Sequence, residues 1–267
     1  MNFNVVLVGA GNMGGAMLRG WIANGLSAAN ITVIDPSPSE EMATFLREST
    51  ITVCADANGV KPPDVLVVAI KPQMMEAVLP SLRSLAGTET VVVSVAAGTT
   101  ISSLAEGLQT SCVVRSMPNT PSLVGRGISV ACPAPSVNDA QKQQVDSLLR
   151  ATGKLEWVGE EALMDAVTAV SGSGPAYVFH LAECMAKAGV AAGLPADLAM
   201  SLACETVSGA GELLRLSDDE PAALRQKVTS PGGTTAAALQ VMMAEDGMPG
   251  IIEEGILAAK KRSEELS

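Results

Sequence analysis

The chain has 267 residues, 48% of them hydrophobic and 17% charged, with a formal net charge of −11. That is enough apolar bulk for one large domain or two ordinary ones, which excludes a disordered chain. The acidic balance repels phosphate backbones and anionic lipid heads, and aromatics at 2% leave little for base stacking, so no nucleic acid and no membrane partner is expected.

The start runs directly into an apolar strand with no leader segment, and no apolar run approaches the ~20 residues that span a bilayer. The five cysteines are odd in number and hold no C-x-x-C pair. Neither a disulfide framework nor a metal site is expected, and a reducing, cytoplasmic setting is. The single histidine, His180, has to carry any mechanism built on an imidazole base; its apolar helical surroundings make it a buried or interface residue instead.

Val5 to Val8 reads as a strand, Asn12 to Asn24 as a helix stopped by Gly25, and Ile31 to Ile34 as a second strand. Ser37-Pro38-Ser39-Glu40 has the form of a capping box with proline at the first helical position. Val65 to Ile70 and Val91 to Val95 are continuous apolar runs, as in strands buried on both faces, and Cys112 to Arg115 is a shorter one. Near residue 159 the rhythm changes. Helical stretches rich in Ala, Met and Leu follow at Glu161–Val170, Ala176–Gly193, Ala196–Leu216 and Thr235–Ala244. The expected fold is α/β, a Rossmann-type doubly wound and mainly parallel sheet over residues 1–159, then an all-α domain over 160–267. That second part has little side-chain bulk of its own and is expected to complete its core against another subunit.

Gly9-Ala10-Gly11-Asn12-Met13-Gly14 is a G-x-G-x-x-G directly after a strand and opening a helix. Gly9 makes the tight turn, Gly11 leaves room for a pyrophosphate, and Gly14 lets helix and strand approach. The helix start at Asn12 and Met13 turns free N–H groups and a positive dipole end toward the phosphates. Asp35 stands about twenty residues on, where an acidic side chain accepts from the adenosine ribose hydroxyls; it also begins a proline-containing turn. Ser37 is an N-cap, or a dock for a 2′-phosphate. Nicotinamide dinucleotides are therefore the expected cofactors.

Ala69-Ile70-Lys71-Pro72, Ala96-Ala97-Gly98 and Met117-Pro118-Asn119-Thr120-Pro121 lie at the carboxyl ends of predicted strands, where open α/β sheets bind ligands. Lys71 can hold phosphate or ribose oxygens, or be a solvated turn lysine. Ala97 and Gly98 are small enough to admit the nicotinamide ribose. Asn119 offers an amide near the ring, although Asn between prolines is also ordinary turn chemistry. Ser230-Pro231-Gly232-Gly233-Thr234-Thr235 opens an alanine-rich helix. Such a start can form a nest of N–H groups for a carboxylate, or be a plain helix start capped by Thr234. Ser171–Pro175 reads as a Gly/Ser turn before a helix with Pro175 near its first position.

These blocks, taken in order with Ser171-Gly172-Ser173-Gly174-Pro175-Ala176-Tyr177, resemble the pyrroline-5-carboxylate reductase family over nearly the whole length. The resemblance implies NAD(P)H-dependent reduction of the ring C=N of 1-pyrroline-5-carboxylate to L-proline, with NADP(H) as cofactor and NAD(H) possible. It implies a homodimer or higher homo-oligomer joined through the helical domains. It places Ala69 to Pro72 and Asn58 along the cofactor cleft and Ser173 near nicotinamide and substrate. It also gives Ser230 to Thr235 to the substrate carboxylate, with the Thr235 hydroxyl toward the ring nitrogen as the catalytic group. An iminium is already electrophilic, so no His–Asp pair is needed.

A β-hydroxyacid dehydrogenase shares the two-domain layout but carries a lysine on the helix after the Gly-rich turn. Here Gly174 is followed by no lysine until Lys187. A non-catalytic NAD(P)-sensing module needs the fingerprint without the Ser230–Thr235 nest.

Overall fold

In the computed structural model, described over residues 3–266, the chain divides into two compact units. One runs up to Gly172 and is rejoined by the chain from Lys260 onward; the other is Ser173–Ala259.

The first unit holds one eight-stranded sheet. Its strands are β1 (Val5–Val8), β2 (Ile31–Ile34), β3 (Thr52–Cys54), β4 (Val65–Val68), β5 (Val91–Ser94), β6 (Val113–Met117), β7 (Gly127–Pro133) and β8 (Gly153–Trp157). The spatial order is β3-β2-β1-β4-β5-β6-β7-β8. All neighbours are parallel except β6 and β7. The first six strands therefore follow the doubly wound dinucleotide-binding order, with its switch point between β1 and β4.

The apolar runs serve both faces. Val5, Leu7, Val33, Val65, Val67, Val91 and Val93 pack toward Met17, Leu18, Trp21, Leu148 and Leu149. Val6, Val8, Leu66, Val68 and Val92 pack toward Leu79, Leu82, Leu104 and Leu108. Alternation within each run is what a strand covered on both sides requires. The helix Asn12–Ala23 is fixed on its side of the sheet by fully buried Trp21, whose indole N–H donates to the Leu148 carbonyl at 2.9 Å. It ends as the sequence predicts. Gly25 has φ +84°, and the N–H groups of Gly25 and Leu26 return to the carbonyls of Ile22 and Trp21.

Several readings need correction. The N-cap of the helix Glu40–Glu48 is Ser39, whose hydroxyl accepts from the Met42 N–H at 3.2 Å; Pro38 therefore precedes the cap and Ser37 is outside it. The expected helix Glu161–Val170 is three short pieces: a 3₁₀ turn Glu161–Leu163, an α turn Met164–Val167 and a π-helical segment Thr168–Gly172. Ser171 and Gly172 thus belong to helical backbone and not to a loop. Strands β3, β7 and β8 are not among the expected ones. The sheet's last strand, β8, ends at Trp157, in keeping with the change of rhythm near 159, while the compact division falls at Gly172/Ser173 because the short helical pieces after β8 stay with the sheet.

They stay there partly through charge. Arg115 on β6 is 3% exposed and meets Glu161 at 3.1 Å and Asp165 at 3.7 Å. Glu161 also accepts the Ile101 N–H, and Asp165 accepts the hydroxyl of Ser263 at 2.7 Å. Burial, and then Glu161, push the neighbouring Cys132 thiol up, against the pull of Arg115.

The second unit is helical: Gly174–Ala191, Ala196–Leu216, Pro221–Lys227, Thr234–Met242 and all but the last turn of Met248–Glu264. Gly193 at φ +104° turns the first two into a hairpin. They approach closely because a Cβ on Gly189 would lie 3.1 Å from that of Ala199.

Candidate active site: a dinucleotide cleft and an uncapped helix start

The cleft at the carboxyl ends of β1, β2 and β4 measures about 520 Å³ and is lined by Gly9, Gly11, Asp35, Ser37, Ala69 and Lys71, among others. The glycines divide their work as the motif predicts. Gly9 has φ +89°, and a Cβ there would sit 2.8 Å from the Ala69 carbonyl oxygen. A Cβ on Gly14 would sit 2.1 Å from the Gly9 carbonyl oxygen. A Cβ on Gly11 would meet nothing within 4 Å, so the loop is bare where a pyrophosphate has to lie. No side chain caps the helix that starts at Asn12 and Met13, which leaves first-turn N–H groups and the dipole for an anion. The residues present therefore fit a dinucleotide.

Asp35 is half-buried and committed to the loop. One carboxylate oxygen accepts the Ala10 N–H at 2.9 Å and the other the Ser37 N–H at 2.9 Å. The carboxylate thus ties β2 to the glycine loop. Ser37, freed from capping, presents an exposed hydroxyl on the cleft wall. Lys71 is exposed just before a 3₁₀ turn, Pro72–Met74.

Other predicted cofactor residues fall elsewhere. Pro72 lines the neighbouring groove with Met75, Glu76 and Thr99. Asn58 lines a groove shared with Asn4 and Thr32, and its N–H donates to Asp56 at 2.8 Å; Ala55, Asp56 and Ala57 line the cleft instead. Gly98 has φ +72°, and its missing Cβ leaves room for the chain end: one would lie 3.0 Å from the Leu266 carbonyl oxygen. Its neighbour Ala97 is half-buried. Asn119 uses both ends of its amide on protein. Nδ2 donates to the Ser171 carbonyl at 3.1 Å, and Oδ1 accepts the Ile128 N–H at 2.9 Å.

In the helical unit, Ser230–Gly233 is a turn with Pro231 second and Gly232 third at φ +69°, closed by the Gly233 N–H to the Ser230 carbonyl at 3.0 Å. This is the pattern of a type II turn. The N-cap of the helix Thr234–Met242 is Gly233, so no side chain satisfies its first N–H groups; Thr234 lies inside the helix and does not cap it. Thr234 is exposed and Thr235 half-buried in the first turn. Ser173 directly precedes the helix Gly174–Ala191, where Pro175 occupies the first turn. His180 is exposed, with Nδ1 3.2 Å from Glu183 and Nε2 3.6 Å from the Cys184 sulfur. It is not buried within this chain.

Residues 161–266 match the family model described as pyrroline-5-carboxylate reductase dimerisation, and residues 4–98 match one described as NADP oxidoreductase coenzyme F420-dependent. A pyrroline-5-carboxylate reductase of Pseudomonas aeruginosa is 42% identical over 98% of this chain and 96% of its own length. The chain belongs to the pyrroline-5-carboxylate reductase family. Within that family, the structure of the Coxiella burnetii enzyme is 33% identical and covers 100% of this chain and 99% of its own, with a TM-score of 0.93. That of the Plasmodium falciparum enzyme, solved with NADP bound, is 29% identical with a TM-score of 0.83 and covers 99% and 98%. The segments Ser171–Tyr177 and Ser230–Thr235, singled out in the sequence, lead into two helices of this chain. Among the described residues no group of His, Cys, Asp and Glu is placed to hold a metal, and no helix is long and apolar enough to cross a membrane.

Proposed function

We propose that this chain reduces 1-pyrroline-5-carboxylate to L-proline at the expense of NADPH, the closing step of proline synthesis. Membership of the family carries the reaction class. The observation on this chain that supports it is the pairing of a bare-glycine dinucleotide cleft with an uncapped, glycine-led helix start suited to a small carboxylate.

Gly11, Asn12, Met13 and Gly14 would hold the pyrophosphate by backbone N–H groups, with Lys71 as a cation at the rim, while Gly9, whose own N–H donates to the Ile34 carbonyl at 2.9 Å, shapes the turn. Asp35 accepts two backbone N–H groups in shaping the loop, and Ser37 offers a hydroxyl to a 2′-phosphate; the hydroxyl favours NADPH, with NADH as a weaker donor. When bound, the nicotinamide supplies hydride to the imine carbon. The protein's part is binding and proton placement. The free N–H groups of Thr234, Thr235 and Ala236 take the substrate carboxylate, aided by the helix dipole. That local attraction is needed in a protein of net charge −11. The Thr235 hydroxyl holds the ring nitrogen and steadies the proton of the forming amine, an assistance worth about 10²–10⁴ in rate. Ser173 adds a hydroxyl near the ring.

We further propose a homodimer formed through residues 173–259, whose large apolar side chains Phe179, Leu202, Leu213 and Ile251 are exposed. The five free thiols suit a reducing cytoplasm.

The deciding experiment follows loss of the reduced-nicotinamide absorbance with pyrroline-5-carboxylate, using NADPH and NADH in parallel. Saturable oxidation, faster with NADPH, is expected. A folded protein that binds nucleotide but oxidises it with neither would return the chain to another cyclic imine or to a sensing role.

A further inference from the structure

We propose that Asn119 is a positioning residue, a clamp that fixes the π-helical segment Thr168–Gly172 to β7 and so places the chain that leads into Ser173. The inference rests on the reaction proposed above for its kinetic part, but the clamp itself is a matter of geometry.

Asn119 follows the end of β6 and is half-buried. Its two partners differ in kind: the Ile128 N–H on β7 can only donate, and the Ser171 carbonyl can only accept. The amide therefore has one workable orientation, because a flip would set carbonyl against carbonyl and N–H against N–H. Asn119 thus engages protein at both ends of its amide.

The segment it holds needs holding. A π-helical turn is an uncommon backbone that recurs at functional sites. Here side chains help close it, since Ser171 Oγ donates to the Val167 carbonyl at 2.9 Å and Thr168 Oγ1 to that of Met164 at 2.9 Å. Gly172 is pressed onto the side chain of Met117, where a Cβ would lie 2.3 Å from the methionine methyl. Between buried Ala169 and the chain's exit at Ser173, the Asn119 bond to Ser171 and the Gly172–Met117 contact are the ties to β6 and its loop. A shift there passes two residues later to Ser173, and a misplacement of about 1 Å at a reacting centre costs on the order of 10²-fold in rate.

Asn119→Asp separates the two ends of the clamp. Its carboxylate still accepts from Ile128 but turns an oxygen toward the Ser171 carbonyl. Amide hydrogen exchange, turnover and nucleotide dissociation constant are measured on wild type, Asn119→Asp and Asn119→Ala. For Asn119→Asp we expect exchange over 168–172 to quicken about tenfold, kcat to fall about ten- to a hundredfold, and the NADPH dissociation constant to stay at the wild-type value. Asn119→Ala should show the same kcat loss and a lower Tm, having lost both ends. Wild-type exchange in Asn119→Asp, with or without a kcat loss, would overturn the clamp. A dissociation constant that rises in step with the kcat loss would overturn it in favour of direct cofactor contact. If the wild type itself does not turn over pyrroline-5-carboxylate, the proposed reaction fails while the exchange experiment still judges the clamp.

Discussion

Up to residue 172 most large apolar side chains are inside: Trp21, Leu7, Met17, Leu66, Leu104 and Leu148 are each less than 2% exposed. Between residues 173 and 259 they are outside. Phe179, Leu213 and Ile251 are each more than 60% exposed, and the buried side chains there are alanines, Ala186, Ala199 and Ala203. Both regions are well-formed secondary structure, yet only the first closes a hydrophobic core within one chain. The second leaves its apolar side chains uncovered, which is the ground for the homodimer proposed above. The sites follow the same divide. The cleft proposed for the cofactor is built from backbone at the ends of the sheet strands, and the helix start proposed for the substrate belongs to the unit with the exposed apolar face.

Four changes would break or sharpen this contrast. The largest effect is expected from Trp21→Ala, which removes a fully buried indole and its hydrogen bond. It should cost about 3–5 kcal/mol of stability, read as a Tm loss that does not depend on protein concentration. A Tm loss that did depend on it would put the first unit's core at an interface too. Thr235→Ala should leave Tm alone and lower kcat about a hundredfold, equivalent to ~3 kcal/mol of barrier; full activity would remove the threonine from the chemistry. Phe179→Asp should weaken self-association by about 2 kcal/mol or more, shifting sedimentation toward the monomer at a given concentration. An unchanged dimer would mean that this face is not the contact.

The smallest effect concerns Asp146, on the helix Asp139–Leu149. Burial pushes its carboxyl up, but hydrogen bonds from Arg150 and Trp157 outweigh that and hold it below the usual carboxylate range. A depressed folded-state pKa gives stability that is present above the unfolded value and is lost as pH falls through the folded one. Asp146→Asn should therefore cost a few tenths of a kcal/mol at neutral pH, with the gap to wild type closing on acidification into the carboxylate range. A gap that persists in acid would assign the effect to packing.

The parallel half of the fold was legible, except for the three-residue edge strand β3, because its other strands begin as runs rich in β-branched residues, and β1 and β2 fall on the predicted residues. Strands β7 and β8 escaped for a physical reason. Gly127–Pro133 buries Ser129 and ends in proline, and Gly153–Trp157 turns only Leu155 fully inward; neither has the apolar run that marks a two-faced strand. The cap at Ser39 was missed because two serines flank Pro38 and the spacing suits either. At the cleft, Gly9, Gly11 and Gly14 could be assigned individually because turn, approach and packing each demand glycine for a different reason. Asn119 and Gly98 could not. Position at a strand end put them near a cofactor, but the partners that claim them, Ser171 and Leu266, lie far along the chain, and local pattern carries no trace of them.

The late return of the chain to the first unit has a consequence for its synthesis. Asp165 receives the hydroxyl of Ser263, 98 positions further along the chain. A nascent chain can pair β1 to β8 while the helical segment is still being made. Asp165, which also faces buried Arg115, gains that hydroxyl only after the intervening helices have been made, so the first unit is completed later than the segment that interrupts it.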